Sequence, residues 1–507
     1  MRRPPQRLAR GARERQEHHG GPPLTVSARL PTSRSPARPS PLDRALNLFT
    51  DVRPGEAGTA LLLTLNIFLL LAAYYVIKPL REALILSDEG AEVKSYAAAG
   101  QAILLLGLVP AYGLLADRLP RRGLLNTVTA FFVLCLVGFY GLTKANVDVG
   151  VIFFLWVGIF SLMIVAQFWS FANDLYTKEQ GERLFVIVAF GMSLGAAIGS
   201  LLARQIIPLL GVPQALLVAA GLLIVAAVVS NVVDARERAK HETHLPLHLT
   251  TAEIPAATGE YQIHAIEETE KLTVSSPGTG PVSRRGSFRL VFRSRYLLLI
   301  ALLMLIVNWV NTTGEYILGR TVAEAAEVAV SSGAAGGLAV PEYIGRFYSE
   351  FFLIVNVVGL LVQLFVVSRL LKYFGVRAAV LVLPLIALTG YTVLAFAPVL
   401  ALVRAVKIAE NATDYSIQNT VRNVLFLPTS RDEKYKAKQA IDSFFWRAGD
   451  VLSAAVVFVG VTMLGLGTTG FAKVNLVLVA AWLLLAVAIG REYARRSSGV
   501  QGSTFSR

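Results

Sequence analysis

The chain has 507 residues, of which 54% are hydrophobic and 16% charged, and its mean hydropathy is +0.57. This composition excludes a soluble globular protein and is typical of a polytopic membrane protein. The net charge of +14 does not indicate nucleic-acid binding, because half of the excess comes from the first 50 residues, which hold ten arginines and three acidic residues.

The N-terminal segment differs from the rest of the chain. Residues 1–50 are rich in arginine and proline and show no apolar periodicity, so they are predicted to form a disordered basic tail. An arginine- and serine-rich leader is also typical of an organellar transit peptide. The sequence leaves both interpretations open.

Apolar stretches long enough to cross a bilayer recur along the rest of the chain, six before residue 234 and six after residue 295. A membrane-spanning helix needs about 20 apolar residues. We therefore predict an all-α membrane protein with twelve transmembrane helices in two six-helix bundles. The predicted parts are an N-terminal bundle at 51–234, a cytoplasmic linker at 235–295, a C-terminal bundle at 296–491 and a cytoplasmic tail at 492–507.

The loops between the predicted spans carry charges of different sign on the two sides of the membrane. Lysine and arginine concentrate after even-numbered spans, as at Arg121 and Arg122, whereas acidic residues such as Asp88 and Glu89 follow the first span. Short basic loops stay in the cytoplasm. Both termini are therefore predicted to be cytoplasmic.

Charged side chains also occur inside the predicted spans one, four, seven and ten. They are expensive in hydrocarbon unless they face a bundle interior or a water-filled cavity, so they indicate a functional site. Polar residues at 404, 407, 411, 414, 418 and 422 follow helical spacing and predict one polar stripe along span ten. The candidate substrate-binding residues are Lys78, Arg81, Asp174, Glu315, Lys407, Asp414 and Arg422.

Structural roles are the alternatives for some of these residues. Arg81 can lie beyond span one and extend to the headgroups, because long basic side chains reach the membrane surface from nearby positions. Asp174 can form a helix-end pair with Lys178 or Arg183. Trp446 can stack on a base or simply pack against other helices.

The loop between spans two and three carries an ordered charge motif, Gly113-Leu-Leu-Ala-Asp117-Arg118-Leu-Pro-Arg121-Arg122. It resembles the loop signature of the major facilitator superfamily, with proline in place of the second glycine. The resemblance implies a carrier in which the first and fourth helices of each half line the cavity. It also implies that Asp117, Arg118, Arg121 and Arg122 act as gating residues on the cytoplasmic side. An ordinary basic loop is the alternative.

Four segments resemble the ATP/ADP translocase family, the nucleotide exchangers of plastids and intracellular bacteria. These segments are residues 74–86, 168–174, 311–315 and 415–428, with further similarity at 436–442. The resemblance implies two basic and two acidic embedded residues, namely Lys78 or Arg81, Asp174, Glu315 and Arg422. Asp174 and Arg422 keep only the sign of the family's usual glutamate and lysine, and Asn423 stands where the family has an acid.

The interpretation favoured by these features is a transporter that exchanges ATP/ADP-type nucleotides or related phosphorylated anions by alternating access. Fixed lysine and arginine side chains would replace the water molecules that surround the phosphate groups in solution. Three alternatives stay open: a proton-coupled major facilitator carrier of another solute, a lipid flippase, and a sensor that retains the fold without transporting.

Enzymatic chemistry is not expected. The Gly195-Ala-Ala-Ile-Gly199 segment lacks the lysine and hydroxyl residue of a phosphate-binding loop, and its spacing instead suits close packing of membrane helices. One cysteine, Cys135, is too few for a zinc cluster of the cysteine type. We predict no cofactor, no metal and no nucleic-acid partner. The expected protein is a monomer in the bacterial inner membrane, with a plastid envelope as the second choice.

Overall fold

The computed structural model describes residues 41–47, 50–116, 121–244, 284–430, 433 and 437–504. These residues form helices joined by short turns, with no β-strand among them, which confirms the predicted all-α membrane fold. The long helices are α1 Ala57–Asp88, α2 Gly90–Ala116, α3 Arg121–Lys144, α4 Gly150–Leu175, α5 Lys178–Leu210, α6 Val212–His244, α7 Arg295–Ser331, α8 (340–374), α9 (376–396), α10 (400–424), α11 Lys438–Thr462 and α12 Thr468–Thr504.

Several helices in the C-terminal half depart from regular α-helical geometry. Helices α8 and α9 belong to one helical stretch, which Gly375 divides because its φ of 71° and ψ of 179° cannot continue a helix. Five-residue π-helical turns interrupt α8 at Gln363–Val367, α10 at Asp414–Gln418 and α11 at Ile441–Phe445. Such turns often occur at functional sites.

Nine helical stretches of the described chain are long and apolar enough to cross a membrane. One of them, Val340–Phe396, is 57 residues long and contains both α8 and α9. The protein is therefore a multi-pass membrane protein, and the number of twelve crossings stays a prediction.

The helices extend beyond the predicted bundle limits. Helix α6 continues past residue 234 to His244, and α12 continues past residue 491 to Thr504. A short helix, Arg284–Arg293, lies within the predicted linker, and Pro41–Leu46 form another within the predicted disordered tail. Apolar content marks only the membrane part of a helix, while lysine, arginine and glutamate also favour helix in water. Residues 1–40 and 245–283 lie outside the described residues.

Helices α1 and α5 pack closely through three glycines of α5. A Cβ atom at Gly191 would lie 2.6 Å from the Thr64 side chain, and one at Gly199 would lie 2.5 Å from the carbonyl oxygen of Ala72. Gly195 likewise faces the Phe68 backbone. Small residues four apart allow two membrane helices to approach at backbone contact. The packing role predicted for Gly195 and Gly199 is thus seen in the structure.

Replacing Gly199 with leucine is expected to destabilise the folded protein by about 2 kcal/mol, because the new side chain would overpack the interface with α1. Gly221 on α6 is the matched control, since a Cβ there would meet nothing within 4 Å. The measurement is the thermal midpoint of the purified protein in detergent. Equal midpoints for Gly199→Leu and Gly221→Leu would contradict the packing argument.

The two halves of the molecule contact each other on one side. Tyr96 at the start of α2 lies against Phe458 near the end of α11, with ring centroids 6.2 Å apart. Tyr316 on α7 donates a hydrogen bond of 2.8 Å to Glu92 on α2. Further contacts join the halves on this side, including a hydrogen bond from Asn356 on α8 to Ser200 on α5. We call it the closed side.

Candidate functional site

The first cluster of embedded charges joins α1 to α2. Glu82 is only 1% exposed and forms an ion pair of 2.6 Å with Lys94, as well as an ion pair with Arg81. The Arg81 guanidinium also lies over the Phe154 ring, 4.6 Å from its centroid. Arg81 and Glu82 therefore lie inside α1, and their charged groups are paired within the protein. The two cations of this cluster share one carboxylate.

The second cluster joins α7 to α10 around a fully buried lysine. Lys407 is 0% exposed and forms ion pairs of 3.0 Å with Glu410 and 3.5 Å with Glu315. It also donates a hydrogen bond of 3.0 Å to the Asn311 side chain. Asn411 donates to Glu315 at 3.1 Å. Lys407 is thus surrounded by acceptors from the protein itself.

Lys78 differs from the cations of these two clusters. Its ammonium donates a hydrogen bond of 3.3 Å to the Tyr415 hydroxyl of α10 and lies 4.0 Å from the centroid of the Phe352 ring on α8. The Tyr75 ring is 5.3 Å away. Within the described part of the chain, no carboxylate oxygen lies within 4.0 Å of the Lys78 ammonium. An aromatic cage from both halves therefore holds this charge.

A cavity of about 360 Å³ lies between the halves next to this cage, and we call it the central cavity. Helices α1, α7, α10 and α11 line it, with Tyr75, Met304, Asp414, Tyr415, Gln418, Asn419, Arg422 and Trp446. Arg422 and Trp446 belong to the parts of α10 and α11 that lie farthest from the closed side. Tyr75 and Tyr415 separate the central cavity from Lys78.

Arg422 supplies the positive charge of the central cavity. Its guanidinium lies 5.5 Å from the centroid of the Trp446 ring and donates a long hydrogen bond of 3.5 Å to Asn419. Its Nε atom is buried without a hydrogen-bond partner. No carboxylate of the described residues lies within 4.0 Å of Arg422. Asp414 lies in the wall of the same cavity.

The polar stripe predicted for span ten divides into parts with different surroundings. Arg404 forms an ion pair of 3.3 Å with Glu350 of α8, and Lys407 lies in the second charge cluster. Residues 414, 418 and 422 line the central cavity instead. A π-helical turn holds one more residue than an α-helical turn, so the turn at Asp414–Gln418 alters the register of the stripe.

Asp174 and the predicted gate lie away from these clusters. Asp174 is exposed at the end of α4, and Arg183, one of its predicted partners, pairs with Glu56 at 3.1 Å. Burial alone would raise the pKa of Glu56, but hydrogen bonds and charge from Arg183 keep that pKa below its ordinary value. Asp117 and Arg118 lie outside the described residues. Arg121 and Arg122 begin α3, and the gating role of all four stays a prediction.

Three acidic residues of the charge networks were not among the sequence candidates for binding. Glu410 follows Lys407 by three residues, so helical spacing could have identified it. Glu82 adjoins Arg81 in sequence, but its partner Lys94 comes from another helix and has no local signal. The third is Glu350, which lies on the closed side.

Glu350 of α8 binds three arginines from three helices. Arg204 of α5 contacts it at 3.1 Å, Arg404 of α10 at 3.3 Å and Arg346 of its own helix at 3.5 Å. The pair with Arg204 joins the two halves. Ser200 and Asn356 make a second contact between α5 and α8, at 3.4 Å. This network holds the closed side together.

Replacing Glu350 with glutamine is expected to open the closed side more often, because Arg204 loses its partner in the other half. A partly exposed ion pair contributes about 1 kcal/mol, which corresponds to about fivefold faster labelling of a Ser200→Cys reporter by a membrane-impermeant maleimide. The reporter is placed in a Cys135→Ser background. Glu324→Gln is the control, since Glu324 pairs with Arg320 inside α7 at 2.9 Å. Equal labelling in both variants would show that the Glu350 network does not hold the closed side together.

Comparison with known proteins identifies the family. Residues 60–427 match the Major Facilitator Superfamily. The chain belongs to this superfamily. The major facilitator protein described here therefore has a membrane-transporter fold, which confirms that part of the sequence interpretation.

One curated relative of this major facilitator protein is ADP,ATP carrier protein 1 of Chlamydia pneumoniae. It is 24% identical over 259 residues, which are 45% of this chain and 47% of that carrier. The chain thus matches about half the length of this relative.

Solved structures confirm the major facilitator fold. The POT family transporter PepTSo has a TM-score of 0.53 at 14% identity, covering 86% of this chain and 98% of its own. The nucleoside transporter NupG has a TM-score of 0.51 at 14% identity, covering 85% and 98%. A bacterial homologue of the human lysosomal transporter Spinster, solved inward-facing and unoccupied, has a TM-score of 0.51 at 14% identity, covering 87% and 98%. Likeness at this level of identity concerns the fold alone.

Proposed function

We propose that this major facilitator protein exchanges ATP/ADP-type nucleotides, or related phosphorylated anions, across a membrane by alternating access. One observation carries the proposal. Arg422 lies in the central cavity and Lys78 lies beside it, and neither has a carboxylate partner among the described residues. In contrast, Arg81, Lys94 and Lys407 each form an ion pair with a carboxylate. Arg422 is directly available to a negatively charged solute, and Lys78 becomes available when Tyr415 moves aside.

Electrostatics explains why these two cations favour an anionic substrate. A buried charge without a counter-ion is costly, and an anion that enters the cavity would remove that cost. The Arg422 guanidinium can bind two phosphate oxygens at once, while Lys78 offers a compact point charge. Tyr415 stands between Lys78 and the cavity, so a rotation of Tyr415 would bring this lysine into contact with the phosphates.

The other walls of the central cavity suit the remainder of a nucleotide. The volume of about 360 Å³ falls within the range of small-molecule sites. The Trp446 indole offers a flat surface on which a base can stack, next to the Arg422 charge.

The same charges give a reason for exchange rather than one-way transport. Closing the cavity around Arg422 without a substrate would bury a charge that has no direct ion pair, so the unloaded carrier should return slowly. Glu315 holds Lys407 in place, as its 3.5 Å ion pair indicates. The similar role for Asp174, which lies at the end of α4, is part of the same proposal.

Similarity to nucleotide carriers supports the proposal from outside the structure. The segments at 74–86, 168–174, 311–315 and 415–428 resemble the ATP/ADP translocase family, and the relative named ADP,ATP carrier protein 1 agrees with that resemblance. We propose membership of that family, a bacterial inner-membrane location, cytoplasmic termini and a monomeric carrier.

A proton-coupled carrier is the second candidate, and Asp414 favours it. This carboxylate lies in the wall of the central cavity, and no cation of the described residues lies within 4.0 Å of it. Intramembrane carboxylates often carry protons in transporters. In that case uptake would depend on the pH gradient and not on internal nucleotide.

Transport into proteoliposomes separates the two candidates. The full chain is reconstituted, and uptake of labelled ATP, ADP and AMP is measured with and without internal ADP. We expect saturable uptake into loaded vesicles and at least tenfold slower uptake into empty ones. Uptake into empty vesicles driven by a pH gradient would support the second candidate. No saturable nucleotide uptake under either condition would reject both forms of nucleotide transport and would favour a proton-coupled carrier of another solute.

A further inference from the structure

Gln418 has a buried side-chain amide and lies in the wall of the central cavity. It has no role in the proposed binding of phosphate. It is 2% exposed, and it belongs to the π-helical turn Asp414–Gln418 of α10. Neither its amide nitrogen nor its amide oxygen has a hydrogen-bond partner in the described structure. A donor and an acceptor are therefore left unused at the same end of one side chain.

Neighbouring polar groups do not satisfy this amide. The Ser416 hydroxyl donates to the carbonyl of Ala412 at 2.6 Å, and the Asn419 side chain accepts from Arg422 at 3.5 Å. Buried polar groups in native proteins are nearly always hydrogen-bonded, so an amide without partners needs an explanation. Both amide atoms are almost inaccessible to solvent, so a rotation of the side chain would bring them to the central cavity, where a ligand would provide the missing donor and acceptor.

The surroundings of Gln418 indicate which part of a ligand it meets. Arg422 attracts the anionic part of a nucleotide, and the Trp446 ring offers a stacking surface. The edge of a base stacked on Trp446 would then point to the rest of the cavity wall, which includes Gln418. A carboxamide can pair with a base edge that carries a donor next to an acceptor, as glutamine does with the amino group and ring nitrogen of adenine.

We propose that Gln418 is a specificity-determining residue that reads the edge of the substrate's base through paired hydrogen bonds. The inference rests on the proposed nucleotide transport. The amide selects a base with adjacent donor and acceptor groups. Phosphate binding at Arg422 supplies affinity for any nucleotide, whereas Gln418 ranks nucleotides by base.

Competition experiments with the reconstituted full chain test this role. Inhibition of labelled ADP uptake is measured for ATP, GTP, CTP and UTP, and for purine riboside triphosphate, which lacks the adenine amino group. The wild type is expected to separate the best base from the poorest by at least tenfold. Gln418→Leu should reduce that spread to about twofold while uptake of ADP persists, because the pairing that contributes the discrimination is lost.

Two further variants guard against a folding defect. Gln418→Glu keeps the size of the side chain but only accepts hydrogen bonds, so it should change the order of the bases and not merely weaken binding. Thr420→Val is the control, since Thr420 contacts Gln363 of α8 rather than the central cavity. It should keep the wild-type ranking.

The outcomes separate this inference from the proposed function. If the wild type transports no nucleotide, the proposed function fails. If Gln418→Leu and Gln418→Glu transport nucleotides with the wild-type ranking, only the role of Gln418 is overturned.

Discussion

Replacing Lys78 or Arg422 with glutamine is expected to reduce nucleotide uptake about 100-fold while leaving the protein folded. Each substitution removes an unpaired cation, so no buried carboxylate of the described residues loses an ion-pair partner. A hydrogen bond to a charged group contributes about 1.5–3 kcal/mol, and these cations make several such bonds to a phosphate chain. The measurements are kcat/KM for ADP uptake into loaded proteoliposomes and the thermal midpoint of the purified protein.

A cation away from the central cavity serves as the control. Arg369 is exposed on α8 and donates to the carbonyl of Phe365, so Arg369→Gln should keep uptake within about twofold of the wild type. Lys78→Arg and Arg422→Lys should recover part of the uptake because they restore the sign of the charge. Wild-type uptake in either glutamine variant would show that the unpaired cations do not bind the substrate.

Replacing Lys407 with methionine is expected mainly to lower the stability of the folded protein. Glu410 and Glu315 would lose the ammonium that lies 3.0 Å and 3.5 Å from them, and Glu410 is only 5% exposed. Breaking a buried pair by removing one partner costs about 3–5 kcal/mol. The expected result is a large fall in the yield of folded protein and in its thermal midpoint, measured by fluorescence size-exclusion in detergent.

A second substitution should reverse much of this loss. Glu410→Gln in the Lys407→Met background removes one of the two uncompensated charges, so the thermal midpoint should move back towards that of the wild type. Lys78→Met is the comparison, because it leaves no such carboxylate behind and should melt near the wild type. If Lys407→Met and Lys78→Met melt at the same temperature, the distinction between paired and unpaired cations has no energetic basis.

The sequence predicted the helical membrane fold because apolar stretches and loop charges are local signals. It also placed charge in the first and seventh helices and along α10, where the structure has it. The sequence did not separate paired cations from unpaired ones. Arg81 and Lys78 are three residues apart on one helix, yet the folded structure pairs only Arg81 with Glu82.

The residue that follows Arg422 in the sequence is consistent with the lack of a carboxylate partner for Arg422. The ATP/ADP translocase family has an acid at the next position, whereas this chain has Asn423, whose side chain accepts a hydrogen bond of 2.8 Å from Lys438. The absence of that acid agrees with an Arg422 that has no carboxylate partner. The π-helical turn at Asp414–Gln418 had no comparable signal, because its extra residue depends on how α10 packs against its neighbours.

The π-helical turns have a mechanical consequence. They fall in α8, α10 and α11, and the described long helices of the N-terminal half have none. A wider turn has weaker local hydrogen bonding and bends more readily. During a transport cycle the N-terminal half should therefore move as a rigid body. The C-terminal half should bend around the solute and undergo most of the deformation.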